Sequence, residues 1–83
     1  MDRPTLRILI RGKLDDGRLP LNSIPRISGG PGNGELCDAC ETVVPKDEFL
    51  MEGISPSQGK RPIQFHTRCF YLWDVERRLP VAL

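Results

Sequence analysis

The stretch "QFHTRCFYLW" (Gln64–Trp73) contains the only histidine of the chain, His66, and the last of its three cysteines, Cys69. A second stretch, "CDAC", contains the other two, Cys37 and Cys40. Within each pair the spacing is two residues, and a tight turn or a first helical turn then points both side chains the same way. Three thiolates and one imidazole are a standard closed ligand set for zinc. The spacing therefore predicts a structural site for one zinc ion.

Other interpretations of the same residues stay open. A CxxC pair also occurs in redox dithiols, although thioredoxin-like motifs lie in a βαβ context that is absent here. An iron–sulfur cluster normally takes four thiolates. The cysteines could also be buried side chains without a metal, and His66 an ordinary histidine. The ligand types do not distinguish zinc from iron or cadmium.

Length, charge and cysteine count limit the class of protein. A chain of 83 residues forms one small domain, residues 1–83, whose thin core commonly needs a metal, a disulfide or a partner. Three cysteines argue against a closed disulfide framework. The net charge of +1 gives no strong field for nucleic acid or an anionic membrane. Without a membrane-length apolar run or a signal-peptide pattern, we expect a cytoplasmic protein.

The N-terminal zone, residues 3–17, predicts an amphipathic helix. Leu6, Ile10 and Leu14 recur at four-residue intervals, and Lys13 is assigned with the other charged residues to the outer faces. Two β-branched residues leave a strand possible, but the four-residue spacing favours a helix.

The middle zone, residues 18–34, is rich in proline and glycine. Pro20, Pro25 and the run "GGPGNG" (Gly29–Gly34) predict turns rather than long regular structure. The glycine run lacks the pattern of a phosphate-binding loop and its strand-then-helix context. Four apolar side chains are expected to hold this zone on the core: Leu19, Leu21, Ile24 and Ile27.

The C-terminal zone, residues 35–79, contains the four candidate ligands. Two short apolar stretches, residues 49–54 and 62–65, are separated by turn residues and predict a β-hairpin with a long loop. A helix is expected from 67 to 78, ended by Pro80. The predicted fold is therefore small α+β, a treble-clef-like zinc domain (knuckle, β-hairpin, C-terminal helix) with an added N-terminal amphipathic helix.

The pattern "CDAC…HTRCF" resembles the CCHC zinc finger of poly(ADP-ribose) polymerase type, which has CxxC, a long gap and HxxCF at a helix start. The stretches "VPKDEFLM" and "SPSQGK" are also similar to that family, whose fingers grip broken DNA. Carried over residue by residue, this resemblance implies a zinc ligand at each of four positions: Cys37, Cys40, His66 and Cys69.

Most of the chain also looks like a set of short uncharacterised bacterial proteins. They share an N-terminal helix ending in "DGRLP", a turn like "GGPGNG" before CxxC, and the pattern "FHxxCFxxW". This second resemblance implies the same domain, stabilised by a bound metal ion, and implies no activity.

The expected function is that of a zinc-stapled adaptor that binds another protein. It follows from a closed site, a balanced charge and the lack of a catalytic cluster, and the apolar face of the N-terminal helix is one candidate partner or dimer surface. The alternative is a nucleic-acid-binding zinc finger, possibly regulatory, with four phosphate contacts: Lys60, Arg61, Arg68 and Arg77. Three aromatic side chains would form a base-stacking platform in a nucleic-acid-binding protein, and otherwise the core around the zinc: Phe65, Phe70 and Trp73. No enzymatic activity is expected, since the single histidine is already assigned to the metal.

Overall fold

The computed structural model describes residues 2–55 and 61–79. Within these ranges the small α+β class predicted from the sequence is confirmed, with two antiparallel sheets. Neither helix in the described ranges is long and apolar enough to cross a membrane. The elements in chain order are α1 Arg3–Asp15, β1 Ile27–Pro31, β2 Glu35–Leu36, β3 Val43–Val44, β4 Phe49–Gly53, β5 Ile63–His66 and α2 Thr67–Arg78.

The first helix, α1, forms in the predicted zone. A proline in its first turn is tolerated because that turn needs no N–H there. The chain leaves the helix at Gly17, whose φ of 84° is a left-handed conformation that glycine adopts without steric cost. Leu6, Ile10 and Leu14 are buried in the core. The apolar face suggested as a partner surface is therefore covered by the chain itself.

Lys13 also lies on the buried face of α1, which differs from its predicted place on an outer face. Only 4% of the residue is exposed. Lys13 follows Leu6 by seven residues, so the two side chains lie two turns apart on the same side of the helix. The four-residue repeat of leucine and isoleucine indicates only which apolar residues face the core. It does not indicate that a lysine lies on the same face.

A strand, β1, occupies part of the middle zone where the sequence predicted turns. It pairs antiparallel with β4, and β4 pairs with β5, so the sheet order is β1-β4-β5. The ring of Phe49 lies where a Cβ on Gly29 would be, so glycine is needed for this close packing. Pro31 ends β1 at the edge of the sheet, where the missing N–H costs no ladder bond.

The predicted hairpin is formed by β4 and β5, with Leu50 opposite His66 and Gly53 opposite Ile63. Most of its predicted long loop, residues 56–60, lies outside the described residues, as does Pro80. A second and shorter pair, β2 with β3, flanks the CDAC stretch. The sequence did not predict this pair, because strands of two residues are too short to show the alternation that indicates a strand.

Aromatic side chains and α2 form the centre of the core. The rings of Phe65 and Trp73 stack with their centroids 5.4 Å apart, and Phe70 meets Phe65 edge-on at 6.0 Å. The indole N–H of Trp73 donates to the carbonyl of Pro20 at 3.0 Å. This hydrogen bond, together with buried Leu19, holds the middle zone on the core.

The other predicted anchors of the middle zone behave differently from one another. Ile24 packs against the core and Ile27 is half-buried, whereas 56% of Leu21 is exposed. Leu21 is therefore not an anchor.

A buried carboxylate joins the two helices. Glu76 of α2 is 5% exposed and accepts a hydrogen bond from Nε of Arg7 at 3.1 Å. Arg11 lies 3.6 Å from the same carboxylate. The two cations compensate the buried charge of Glu76. Because both come from α1, they also fix α1 against α2.

We expect Ile10→Glu to unfold the domain or to lower its free energy of unfolding by about 3 kcal/mol or more, since Ile10 is fully buried and the variant buries an unpaired carboxylate. The matched variant Ile8→Glu changes a side chain that is 74% exposed and should cost less than about 0.5 kcal/mol. Urea unfolding followed by circular dichroism measures both. Equal midpoints for the two variants would contradict the assignment of the buried face.

Candidate metal centre

The four predicted ligands come together in one buried cluster. One donor atom from each side chain lies within 4.8 Å of the others. Cys37 and Cys40 lie in the turn between β2 and β3, His66 is the last residue of β5, and Cys69 lies in the first turn of α2. The cluster is therefore positioned to bind one metal ion, and every predicted site residue belongs to it.

The turn between β2 and β3 brings its two cysteines together through local hydrogen bonds. The N–H of Cys37 donates to the carbonyl of Thr42, and the N–H of Glu41 donates to the carbonyl of Cys37, both at 2.9 Å. The Thr42 hydroxyl lies 3.0 Å from the sulfur of Cys40. Glu41 has a φ of 63°, a left-handed conformation that costs a side-chain-bearing residue roughly 1–2 kcal/mol. A residue in this conformation closes the turn.

The ring of His66 is oriented by the backbone of β3. Its Nε2 lies 3.0 Å from the carbonyl oxygen of Val43. A carbonyl only accepts, so Nε2 is the donor of this hydrogen bond, and Nδ1 is the ring nitrogen that faces the cluster. Nδ1 lies 3.4 Å from the sulfur of Cys40 and 3.9 Å from that of Cys69. This is the orientation of a metal-ligating histidine, whose second nitrogen normally donates to a carbonyl or carboxylate.

The cysteines are free thiols that share a hydrogen bond. The thiol of Cys69 donates to Cys37, and this lowers the pKa of Cys37 to about 4, helped by the backbone N–H groups of Cys40, His66 and Ala39. The same hydrogen bond raises the pKa of Cys69 above its usual range, and burial acts in the same direction. The cluster thus stabilises a first thiolate, which is the form that binds metal.

Lys13 holds the turn in place from α1. Its Nζ donates to the carbonyls of Asp38 at 2.9 Å and Ala39 at 3.1 Å, the two residues between the cysteines. It also lies 3.2 Å from the carboxylate of Glu41. A divalent ion with three thiolates would carry one negative charge, and a buried ammonium beside the turn compensates it.

Asp38 aligns the two halves of the site. Its N–H donates to the carbonyl of Gln64 at 2.7 Å, and its carboxylate accepts from the N–H of Gln64 at 2.8 Å. Arg61 donates to the other carboxylate oxygen at 3.2 Å. Gln64 precedes His66 by two residues on β5, so these bonds fix the CDAC turn relative to the strand that carries the histidine.

Sequence reasoning found the ligands and missed the groups that orient them. For Lys13, the seven-residue spacing from Leu6 indicates a place on the buried face of α1. For Asp38 and the carbonyl of Val43 the sequence has no such signal, because each takes part in a hydrogen bond between a side chain and a backbone atom more than 20 residues away, and such a pairing depends on the fold.

Comparison of the chain with protein-family models, with curated proteins and with solved structures gives no match. The geometry of the cluster and of the surface around it is therefore the basis for assigning a function.

We expect Lys13→Ala to lower the free energy of unfolding by about 1–3 kcal/mol, because two buried carbonyls lose their donor. Metal affinity should fall on the order of 10- to 100-fold, the usual effect of removing a group that orients ligands. Competition with a chromophoric chelator measures the affinity. The control Glu41→Gln removes the ion pair but keeps the lysine, and should have the smaller effect. Unchanged affinity in Lys13→Ala would contradict this role.

Two substitutions of Asp38 test its hydrogen bond with the N–H of Gln64, since one removes the acceptor oxygen and the other keeps it. Asp38→Ala removes the acceptor for the N–H of Gln64 and should cost about 1–2 kcal/mol. Asp38→Asn keeps an acceptor oxygen and should lose less. Hydrogen exchange of the Gln64 amide reports on the bond directly. If this amide is equally protected in all three proteins, Asp38 does not align the site.

Proposed function

We propose that this protein is a structural zinc-binding module of treble-clef type that acts as a protein-interaction or adaptor domain. The observation that carries the proposal is the buried cluster itself, in which four donor atoms lie within 4.8 Å of one another. A small domain with so thin a core gains much of its stability from such a site.

The donor set fits zinc. Zinc favours four tetrahedral ligands of thiolate and imidazole, and Zn–S bonds of about 2.3 Å place the sulfur atoms roughly 3.8 Å apart. The four donor atoms all lie within 4.8 Å of one another, so small movements of the side chains would bring them to that geometry. An iron–sulfur cluster would normally require a fourth thiolate. When bound, zinc would be held by Cys37, Cys40, His66 and Cys69 and would supply a structural cross-link between the turn and α2.

The same ligand count supports a role without catalysis. A catalytic zinc site keeps one position open for water or substrate, whereas here four protein groups are available for four positions. The cluster is also buried, which limits access of a substrate to the thiols. The three free cysteines require a reducing compartment to remain ligands, and we therefore place the protein in the cytoplasm.

The contacts of the basic residues weigh against the alternative of nucleic-acid binding. Lys60 lies outside the described residues. Phe65 and Trp73 are buried and do not offer a stacking surface. Two of the three arginines considered as phosphate contacts have partners with a structural role: Arg61 donates to the Asp38 carboxylate at 3.2 Å, and Arg77, whose side chain is 17% exposed, pairs with Asp74 at 2.7 Å. Arg68 has the exposed Glu48 at 3.6 Å, a surface pair that contributes little, and it does not count against the alternative.

Removal of the metal tests the structural role. Protein purified without added metal should show one zinc per chain by native mass spectrometry, and a chelator should remove both the zinc and the folded circular dichroism spectrum. In small metallo-domains metal binding contributes about 10 kcal/mol or more to folding, so Cys37→Ser should be largely unfolded. A folded spectrum in chelator, or in Cys37→Ser, would contradict the proposal.

Photo-crosslinking in cells tests the adaptor role. A photoreactive amino acid is placed one at a time at exposed apolar positions on separate parts of the surface: Leu21, Phe49, Ile54 and Tyr71. Specific protein adducts at one or more positions are expected. Adducts to nucleic acid alone, together with binding of short duplex DNA at about 50 mM salt, would favour the alternative.

A further inference from the structure

An open groove lies between the two helices on the surface. Its volume is about 460 Å³, and six residues line it: Arg3 and Leu6 from α1, and Arg68, Tyr71, Leu72 and Val75 from α2. Leu6 is buried and Leu72 packs against the core, so these two form an apolar floor. Tyr71 and Val75 are 60% and 47% exposed and form an apolar wall.

Among the described residues, the charged side chains that line the groove are both cationic. They are Arg3 and Arg68, which are exposed, and no carboxylate from residues 2–55 or 61–79 is among the lining residues. Arg68 pairs with Glu48 at 3.6 Å, but both side chains are about half exposed, and such surface pairs contribute little. Arg68 can therefore exchange this carboxylate for one from a partner at small cost.

The spacing along α2 indicates the shape of the occupant. Arg68, Tyr71, Leu72 and Val75 stand at positions i, i+3, i+4 and i+7, so they form one helix face about 10 Å long. A third helix that packs beside α1 and α2 would present its own apolar residues at the same spacing. Carboxylates beside that apolar face would meet Arg3 and Arg68.

We propose that this groove, which we call the α1–α2 groove, binds an acidic amphipathic helix of a partner protein. The proposal rests on the adaptor function proposed above and names the surface and the chemistry of the partner. A second copy of the chain is a poorer occupant, because two such grooves placed face to face would oppose cation to cation. A phosphate backbone would leave Tyr71 and Val75 without an apolar contact.

The test uses a labelled synthetic amphipathic helix of about 14 residues, roughly four turns, with leucine at i, i+3, i+4 and i+7 and glutamate beside them. The zinc-loaded full chain should bind it saturably, with NMR shift changes at Arg68, Tyr71 and Val75. Binding should weaken with added salt. A peptide with lysine in place of each glutamate should bind at least about tenfold more weakly.

Three variants locate the site. Val75→Glu and Arg68→Glu should each weaken binding at least about tenfold, because they change an apolar and a cationic lining residue. The matched control Ile8→Glu changes an exposed apolar residue of α1 that does not line the groove, and it should leave binding unchanged. Each variant should keep the circular dichroism spectrum and the zinc content of the parent protein.

Several outcomes would overturn the inference. They include no binding at about 1 mM peptide, equal binding of the lysine peptide, or loss of binding in Ile8→Glu alone. Duplex DNA binding that needs Arg68 but tolerates Val75→Glu would assign the groove to nucleic acid. Concentration-dependent dimerisation abolished by Val75→Glu would assign it to a second copy.

The crosslinking experiment distinguishes this inference from the adaptor function. Protein adducts from Tyr71, which lines the groove, support the adaptor function, and they support the groove only if the acidic peptide also binds there. If adducts come from Phe49 or Ile54 but not from Tyr71, the adaptor function stands and the groove is excluded. If no position gives a protein adduct, both proposals fail.

Discussion

The convergence of three sulfur atoms and one imidazole nitrogen at a single buried point is the constraint on which the rest of the structure depends. Each element that meets there is short: a turn between two-residue strands, a four-residue strand and the first turn of a helix. Such pieces bury too little apolar surface to hold one another firmly. A buried set of thiolates is also costly unless a cation compensates it. A metal ion held by the cluster would meet both needs.

The groups around the cluster show how the N-terminal helix is joined to it. Lys13 extends from α1 to the two carbonyls between the cysteines, and Glu76 of α2 accepts from arginines of α1. Asp38 ties the same turn to β5. Consequently α1 is bound directly to the turn that carries two of the four candidate ligands. The conformation of that turn and the packing of α1 are coupled through Lys13.

The sequence predicted those parts of the structure that depend on local spacing. The helices around Leu6 and Cys69, the β4–β5 hairpin and the four donor residues all follow from periodicity or from two-residue separations. Strand β1 was missed because its glycines are also turn residues; the antiparallel pairing of β1 with β4 and the packing of Gly29 against Phe49 show that they belong to a sheet. The groups that orient the donors bind backbone atoms distant in sequence, and such pairs leave no periodic signal.

Zinc K-edge X-ray absorption of the protein as purified would show which atoms surround the metal. A closed structural site at the cluster gives three sulfur neighbours at about 2.3 Å and one nitrogen neighbour at about 2.0 Å, with no oxygen. A spectrum with oxygen or water in the first shell, or with fewer than three sulfur atoms, would show that the buried cluster is not a closed structural site. Absence of a zinc edge from folded protein would show that the fold does not depend on zinc.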